Sequence, residues 1–331
     1  MNRAICLGEI WVDCFAEQAG RPRREVTRWN PLPGGASANV ACALAKLGSP
    51  VEFVGAVGRD PWGDALVNLL QDMGVGHRGV QRRLKAPTRQ VYIVREESGS
   101  AERRPCHTFA GFSENDPARF ADAHLFADAL VPELFAGASF LILGTLAMAY
   151  ADTRQSVQQA VALAQAQGAA ILVDVNWRPM FWPSPAEASG RIYDLLQKVQ
   201  FLKVSAEESK WLFGTDCAAA IARQFPHLSG VLVMSEADRC QYWLARNSGM
   251  VLGFAVDVED TGGAGDAFTA GFVHQLLRRG TACLEAADVA QRVVTYAAAV
   301  SALTTTRPGS IAALPTPTEV EVFLYLNPAP T

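Results

Sequence analysis

Short, β-rich apolar runs alternate with amphipathic stretches of helical period along nearly the whole chain, and this alternation restricts the fold more than any other feature. The apolar runs fall at residues 4–7, 51–57, 140–143, 170–175, 201–204 and 231–234. Between them lie helix-period segments at 38–47, 61–73, 153–167, 186–198 and 285–303, several of which stop at a glycine such as Gly48, Gly74 or Gly168. Strands this uniformly apolar are covered on both faces, so the pattern predicts an α/β fold with a mostly parallel central sheet and crossover helices.

Two stretches interrupt the alternation. Residues 12–33, and residues 86–112 with their Glu-Ser-Gly turn, read as paired strands of a small separate sheet. Active sites of open α/β sheets lie at the carboxyl ends of the strands, so a small sheet beside that crevice is expected to act as a lid. The expected division is a main domain of residues 1–11, 34–85 and 113–327, with a β lid of residues 12–33 and 86–112. Edge strands of the lid offer a route to a homodimer. The Pro-rich segments near the end read as a loop and a frayed tail.

Composition narrows the partners. With 331 residues, 50% of them hydrophobic and 19% charged, the chain can bury a large core. A net charge of -4 supplies no extended basic field for nucleic acid. The short basic clusters, Arg21, Arg23 and Arg24 and then Arg82, Arg83 and Lys85, read as solvated loops. Seven scattered cysteines without a C-x-x-C pair suit neither a disulfide framework nor a zinc site and point to a reducing cytoplasm. No run approaches a membrane span, and residues 1–13 lack the apolar core of a signal peptide, so neither membrane nor export is expected.

The chemistry concentrates at Asp260-Thr261-Gly262-Gly263-Ala264-Gly265-Asp266, followed by a helical run with apolar Ala267, Ala270, Val273 and Leu277. Glycines free the backbone to turn N–H groups toward a ligand, and the helix aims its positive end at the same point. A carboxylate at the mouth of such an anion hole is what phosphoryl transfer requires: amides absorb charge while the base takes a proton from the attacking hydroxyl. Upstream, Gly34 and Gly35 open a helix carrying Asn39, which has both a donor and an acceptor for polyol hydroxyls.

These two segments resemble the paired signatures of the PfkB, or ribokinase-like, carbohydrate kinases, and further similarity extends over almost the whole chain, nearest to bacterial fructokinases. The resemblance implies a ribokinase-like three-layer fold with a small β lid, and an ATP-dependent phosphotransferase acting on a ketose hydroxyl. It implies Asp266 as catalytic base, with Gly263, Ala264 and Gly265 forming the anion hole. Asp13, Gly34, Gly35, Asn39 and Arg178 would bind substrate. Ser205, Ser235, Gly263, Gly265 and Gly309 would contact ATP. Glu208 would hold Mg2+ through water, and Asp260 would either help hold K+ or shape the turn. Arg178, in Asp174-Val175-Asn176-Trp177-Arg178, suits a transferred phosphate or a substrate carboxylate equally.

Three positions depart from the family pattern. Ser205 replaces the usual Asn before Glu208, and Ser37 replaces a Gly, Ala or Pro. Residues 234–239, Met-Ser-Glu-Ala-Asp-Arg, lack both glycines of the nucleotide loop, which predicts weaker ATP binding. A 2-keto-3-deoxygluconate kinase and a noncatalytic sugar-binding protein are the competing readings, while the absence of G-x-x-x-x-G-K-[ST] and of G-x-G-x-x-G after the first strand argues against Walker-type and dinucleotide folds.

Overall fold

In strand β1 (Arg3–Leu7), Ala4 and Cys6 pack into one hydrophobic cluster while Ile5 and Leu7 pack into another on the opposite face. A strand buried on both sides needs a layer on each, and the rest of the chain supplies them. The computed structural model describes residues 2–95, 107–235 and 239–328. In it β1 runs parallel to β4 (Val51–Gly58) and to β8 (Ala138–Gly144). Beyond β4 lies β5 (Gly76–Arg83); beyond β8 come β9 (Ala170–Asp174), β10 (Phe201–Ser205) and β11 (Gly230–Ser235), all parallel. An antiparallel hairpin of β12 (Arg239–Leu244) and β13 (Asn247–Val251) completes this nine-stranded sheet.

Helices α1 (Ala36–Lys46), α2 (Pro61–Asp72), α7 (Ala264–Arg279) and α8 (Ala287–Thr304) cover one face. The other face carries α3 (Ala151–Ala166), α4 (Ala188–Leu196), α5 (Ala206–Phe213) and α6 (Ala218–Gln224). The helix-covered, mostly parallel sheet expected from the alternation is therefore present, in the three layers that the resemblance implied. Among the described residues no helix is long and apolar enough to cross a membrane.

A second sheet has the order β3 (Trp29–Gly34), β2 (Trp11–Ala16), β6 (Gln90–Arg95), β7 (His107–Phe112). It is two-faced, as alternation in β2 requires: Val12, Cys14 and Ala16 are buried, whereas Trp11, Asp13 and Phe15 face a cleft. The expected Glu-Ser-Gly turn lies outside the described residues. Where the chain crosses from β5 to β6, Arg89 is 1% exposed and pairs bidentately with Asp122, at 2.7 and 2.9 Å. Its guanidinium also donates to the Pro117 carbonyl and to the Tyr150 hydroxyl, among the rings of Phe112, Phe120 and Phe181.

Two sequence expectations are corrected. Arg82 and Arg83 lie in β5 rather than in a solvated loop; Arg82 pairs with Asp64, and the Arg83 guanidinium sits 3.8 Å from the centre of the Phe126 ring. The Pro-rich segment 306–319, expected to be loop, instead ends in the first turn of α9 (Pro317–Leu326), with Pro317 at its start. A reciprocal capping box between Thr316 and Glu319 secures that start.

Candidate active site

Helix α1 follows the small-sheet strand β3 directly, α7 follows the loop after β13, and their first turns meet beneath the small sheet at a cleft of about 520 Å³. Gly263, at the N-cap of α7, has φ 77°, and a Cβ there would lie 2.7 Å from the Ser310 Cβ, so glycine is required on both counts. The first-turn amides of α7 have no intrahelical acceptor and face the cleft end of the helix dipole. Gly35 plays the same part for α1: at φ 103°, a Cβ would come within 2.6 Å of the Glu9 carbonyl oxygen.

Asp266, in the first turn of α7, lines the cleft and accepts a 2.8 Å hydrogen bond from Asn39 Nδ2 on α1. Burial pushes its carboxyl up to about 6; Asp174 adds to the rise, and the Asn39 bond, Lys203 and Arg178 oppose it. Beneath it, the Lys203 ammonium pairs with Asp174, whose Oδ2 also accepts from Thr269 Oγ1 on α7 at 3.1 Å. Burial alone would lower the Lys203 pKa, but the Asp174 charge and hydrogen bond override it and hold it raised.

On the opposite wall, Asp13 Oδ1 accepts from Trp11 Nε1 at 2.9 Å, and burial raises the Asp13 carboxyl to about 7 despite that bond. A Cβ at Gly34 would fall 2.0 Å from Asp13 Oδ2, so this glycine makes room for the carboxylate. Ser37 donates from its backbone and its hydroxyl, both at 3.3 Å, to the buried Glu9 carboxylate, which burial raises to about 7. The unusual serine thus has a partner.

At the third side, Asp260 Oδ1 accepts from the Gly262 amide at 2.8 Å and Oδ2 from the Gly309 amide at 2.9 Å, tying two cleft-lining loops together. Arg178 is exposed at the cleft and donates to its neighbour's carbonyl, that of Trp177, at 3.0 Å.

The structure gathers Asp13, Gly35, Asn39, Arg178, Asp260, Gly263, Asp266 and Gly309 around one cleft; Gly34 adjoins Asp13, and Ala264 and Gly265 stand in the first turn of α7 between Gly263 and Asp266. Ser205, Glu208 and Ser235 lie outside that lining, at the carboxyl ends of β10 and β11 and in the first turn of α5. Ser205 and Glu208 form a capping box; Glu208 Oε2 accepts from the Ser205 amide at 2.8 Å and Oε1 from the Trp177 amide at 2.5 Å. Ser235 Oγ donates to the Arg239 carbonyl at 3.3 Å, and Glu236, Ala237 and Asp238 of the altered loop lie outside the described residues. Lys203 and Trp11 escaped the sequence reading. The signal for Lys203 was a lone cation inside the apolar strand Phe201-Leu202-Lys203-Val204, which demands a buried counter-charge.

The sequence pattern described as "pfkB family carbohydrate kinase" matches residues 1–317. This chain belongs to that family. It is a phosphotransferase acting on a sugar hydroxyl. "Probable fructokinase-2" of Arabidopsis thaliana is 32% identical over 326 residues, covering 98% of this chain and 96% of the plant protein. Among solved structures, the fructokinase with bound ATP from Xylella fastidiosa superposes with a TM-score of 0.85 at 28% identity, covering 98% of this chain and 99% of that one. The fructokinase of Vibrio cholerae O395, in its fructose, ADP and calcium ion bound form, gives 0.82 at 27%, with 98% and 99% covered.

Proposed function

We propose that this kinase transfers the γ-phosphoryl group of ATP to a hydroxyl of fructose, with Asp266 as the base. The observation that carries the reading is the Asp266 carboxylate at the start of α7, fixed by Asn39 and open to a cleft whose far wall bears Asp13. The sugar hydroxyl gives its proton to Asp266 while its oxygen bonds to the γ-phosphorus. The bond from that phosphorus to the β–γ bridging oxygen breaks, and ADP leaves. A carboxyl raised to about 6 is a better proton acceptor than an ordinary one and is still mostly ionised at pH 7.

The amides around Gly263 and Gly265 receive the charge on the transferred group, and Arg178, which lines the same cleft, pairs with it. Asp13 keeps Oδ2 for a sugar hydroxyl because Trp11 occupies Oδ1. Gly309 and the ends of β10 and β11 near Ser205 and Ser235 border the nucleotide. The small sheet serves as lid over the sugar.

Mg2+, when bound, neutralises charge on the nucleotide phosphates. The donor set fits an ion held mainly by phosphates and water: among the described residues no group of three His, Cys, Asp or Glu side chains gathers to hold a metal. Both Glu208 oxygens already accept a backbone amide, which suits contact through water only. Asp260 accepts one amide on each oxygen, which shapes the loop and leaves a lone pair on each for a K+ contact.

A homodimer through the small sheet would use the β7 edge, since Pro31 and Pro33 deprive β3 of donors. Among the described residues the cysteines are free thiols, which suits a reducing cytoplasm. The test is a coupled ATPase assay over ketoses, aldoses and keto-acids. Turnover greatest with fructose supports the reading; a keto-acid preferred over every sugar would assign Arg178 to a substrate carboxylate instead.

A further inference from the structure

The turn that carries Arg178 is tied on its far side by the Phe181 amide, which donates to the Arg178 carbonyl at 3.0 Å, and on its near side through Trp177. The β9 ladder ends with the Val175 amide on the Lys203 carbonyl at 3.0 Å. Asn176 then adopts φ 42°, in the left-handed region that asparagine enters more readily than other non-glycine residues. The next residue supplies the restraint. The Trp177 amide donates to Glu208 Oε1 at 2.5 Å, its indole stacks on Trp211 with centroids 4.7 Å apart and planes 21° apart, and Trp182 packs edge-on at 5.4 Å. The Arg178 guanidinium in turn donates to the Trp177 carbonyl.

Glu208 and Trp211 are three residues apart on α5, so they project from neighbouring positions on one side of that helix and grip Trp177 at its amide and its ring together. The fold itself has little need of Trp211. The indole is 44% exposed, whereas Leu212 and Phe213 supply the buried face of α5.

We propose that Trp211 is a positioning residue for phosphoryl transfer: by stacking on Trp177 it fixes the 176–178 turn and so aims Arg178 into the cleft. The inference rests on the kinase reading above, and in particular on Arg178 meeting the transferred group. Trp177 also touches Glu208, and a cycle with Arg178 separates the positioning of Arg178 from any effect passed through Glu208 to the metal.

The experiment is a double-mutant cycle. Steady-state kinetics with fructose and ATP are measured for wild type, Trp211→Ala, Trp211→Phe, Arg178→Ala and the Trp211→Ala, Arg178→Ala pair, alongside thermal midpoints. Trp211→Ala is expected to lower kcat roughly tenfold with an unchanged fold, and Trp211→Phe, which keeps a stacking ring, to recover most of it. In the Arg178→Ala background, Trp211→Ala should change kcat by less than about twofold, because the group it aims is already gone. A wild-type kcat in Trp211→Ala, or a loss that multiplies in full onto Arg178→Ala, would overturn the proposal while leaving the kinase reading intact. If the wild-type protein turned over no sugar, the kinase reading would fall, and this inference with it.

Discussion

The Asn39 side-chain amide donates to Asp266 Oδ2 at 2.8 Å, joining the first turns of α1 and α7 across 227 positions of sequence. Two glycine-led helix starts are thereby locked into one site. Asn39 Oδ1 faces the Ser310 hydroxyl at 3.4 Å, so both ends of its amide have partners. Its substitution should therefore disturb the base as well as the sugar.

Because the Asn39 bond holds the Asp266 pKa down against burial, its loss leaves burial less opposed. The acidic limb of kcat/KM, expected near pH 6 in wild type, should move to higher pH in Asn39→Leu. A pH–rate profile checks this; a limb that stays fixed or moves down contradicts it.

Asp266 also links pH to stability. Its folded pKa is raised, so the native state holds the proton more tightly than the unfolded chain, and its stabilising contribution is lost as pH rises from about 4 through about 6. Asp266→Asn carries no charge to bury. It should unfold at a higher temperature than wild type at pH 8, with the advantage shrinking toward pH 4 as measured by calorimetry.

Asp13→Ala should raise the sugar KM by roughly 5- to 150-fold, the equivalent of about 1–3 kcal/mol for an unpaired hydroxyl partner. The ATP KM should change little, since Asp13 is on the small-sheet wall. Nucleotide affinity lost with sugar affinity intact would reverse this assignment.

Arg89→Met leaves the Asp122 carboxylate buried without its partner, and should destabilise the protein by about 3–5 kcal/mol in denaturant titrations. Arg89→Met with Asp122→Leu should recover most of that loss, because no charge is then left uncompensated.

Much of this was readable in the sequence. Six apolar runs became parallel strands because their residues are buried on both faces, a pattern that survives whatever packs on them. Gly35 and Gly263 were legible for a local reason, each sitting at a positive φ with no room for a Cβ. The β12–β13 hairpin was missed although Cys240, Tyr242 and Leu244 alternate toward the core in β12, and α9 is announced only by the Thr316–Glu319 capping box. Long-range pairs such as Asn39 with Asp266, or Lys203 with Asp174, depend on the layers coming together and leave at most one half of their signature in any local stretch.

The central claim is that Asp266 is the base, and Asp266→Asn tests it most directly. Turnover of fructose with ATP should fall by at least roughly 10²- to 10⁴-fold, the contribution of a well-placed general base, while calorimetry shows fructose still bound and the fold intact. Near wild-type turnover in that variant would contradict the account.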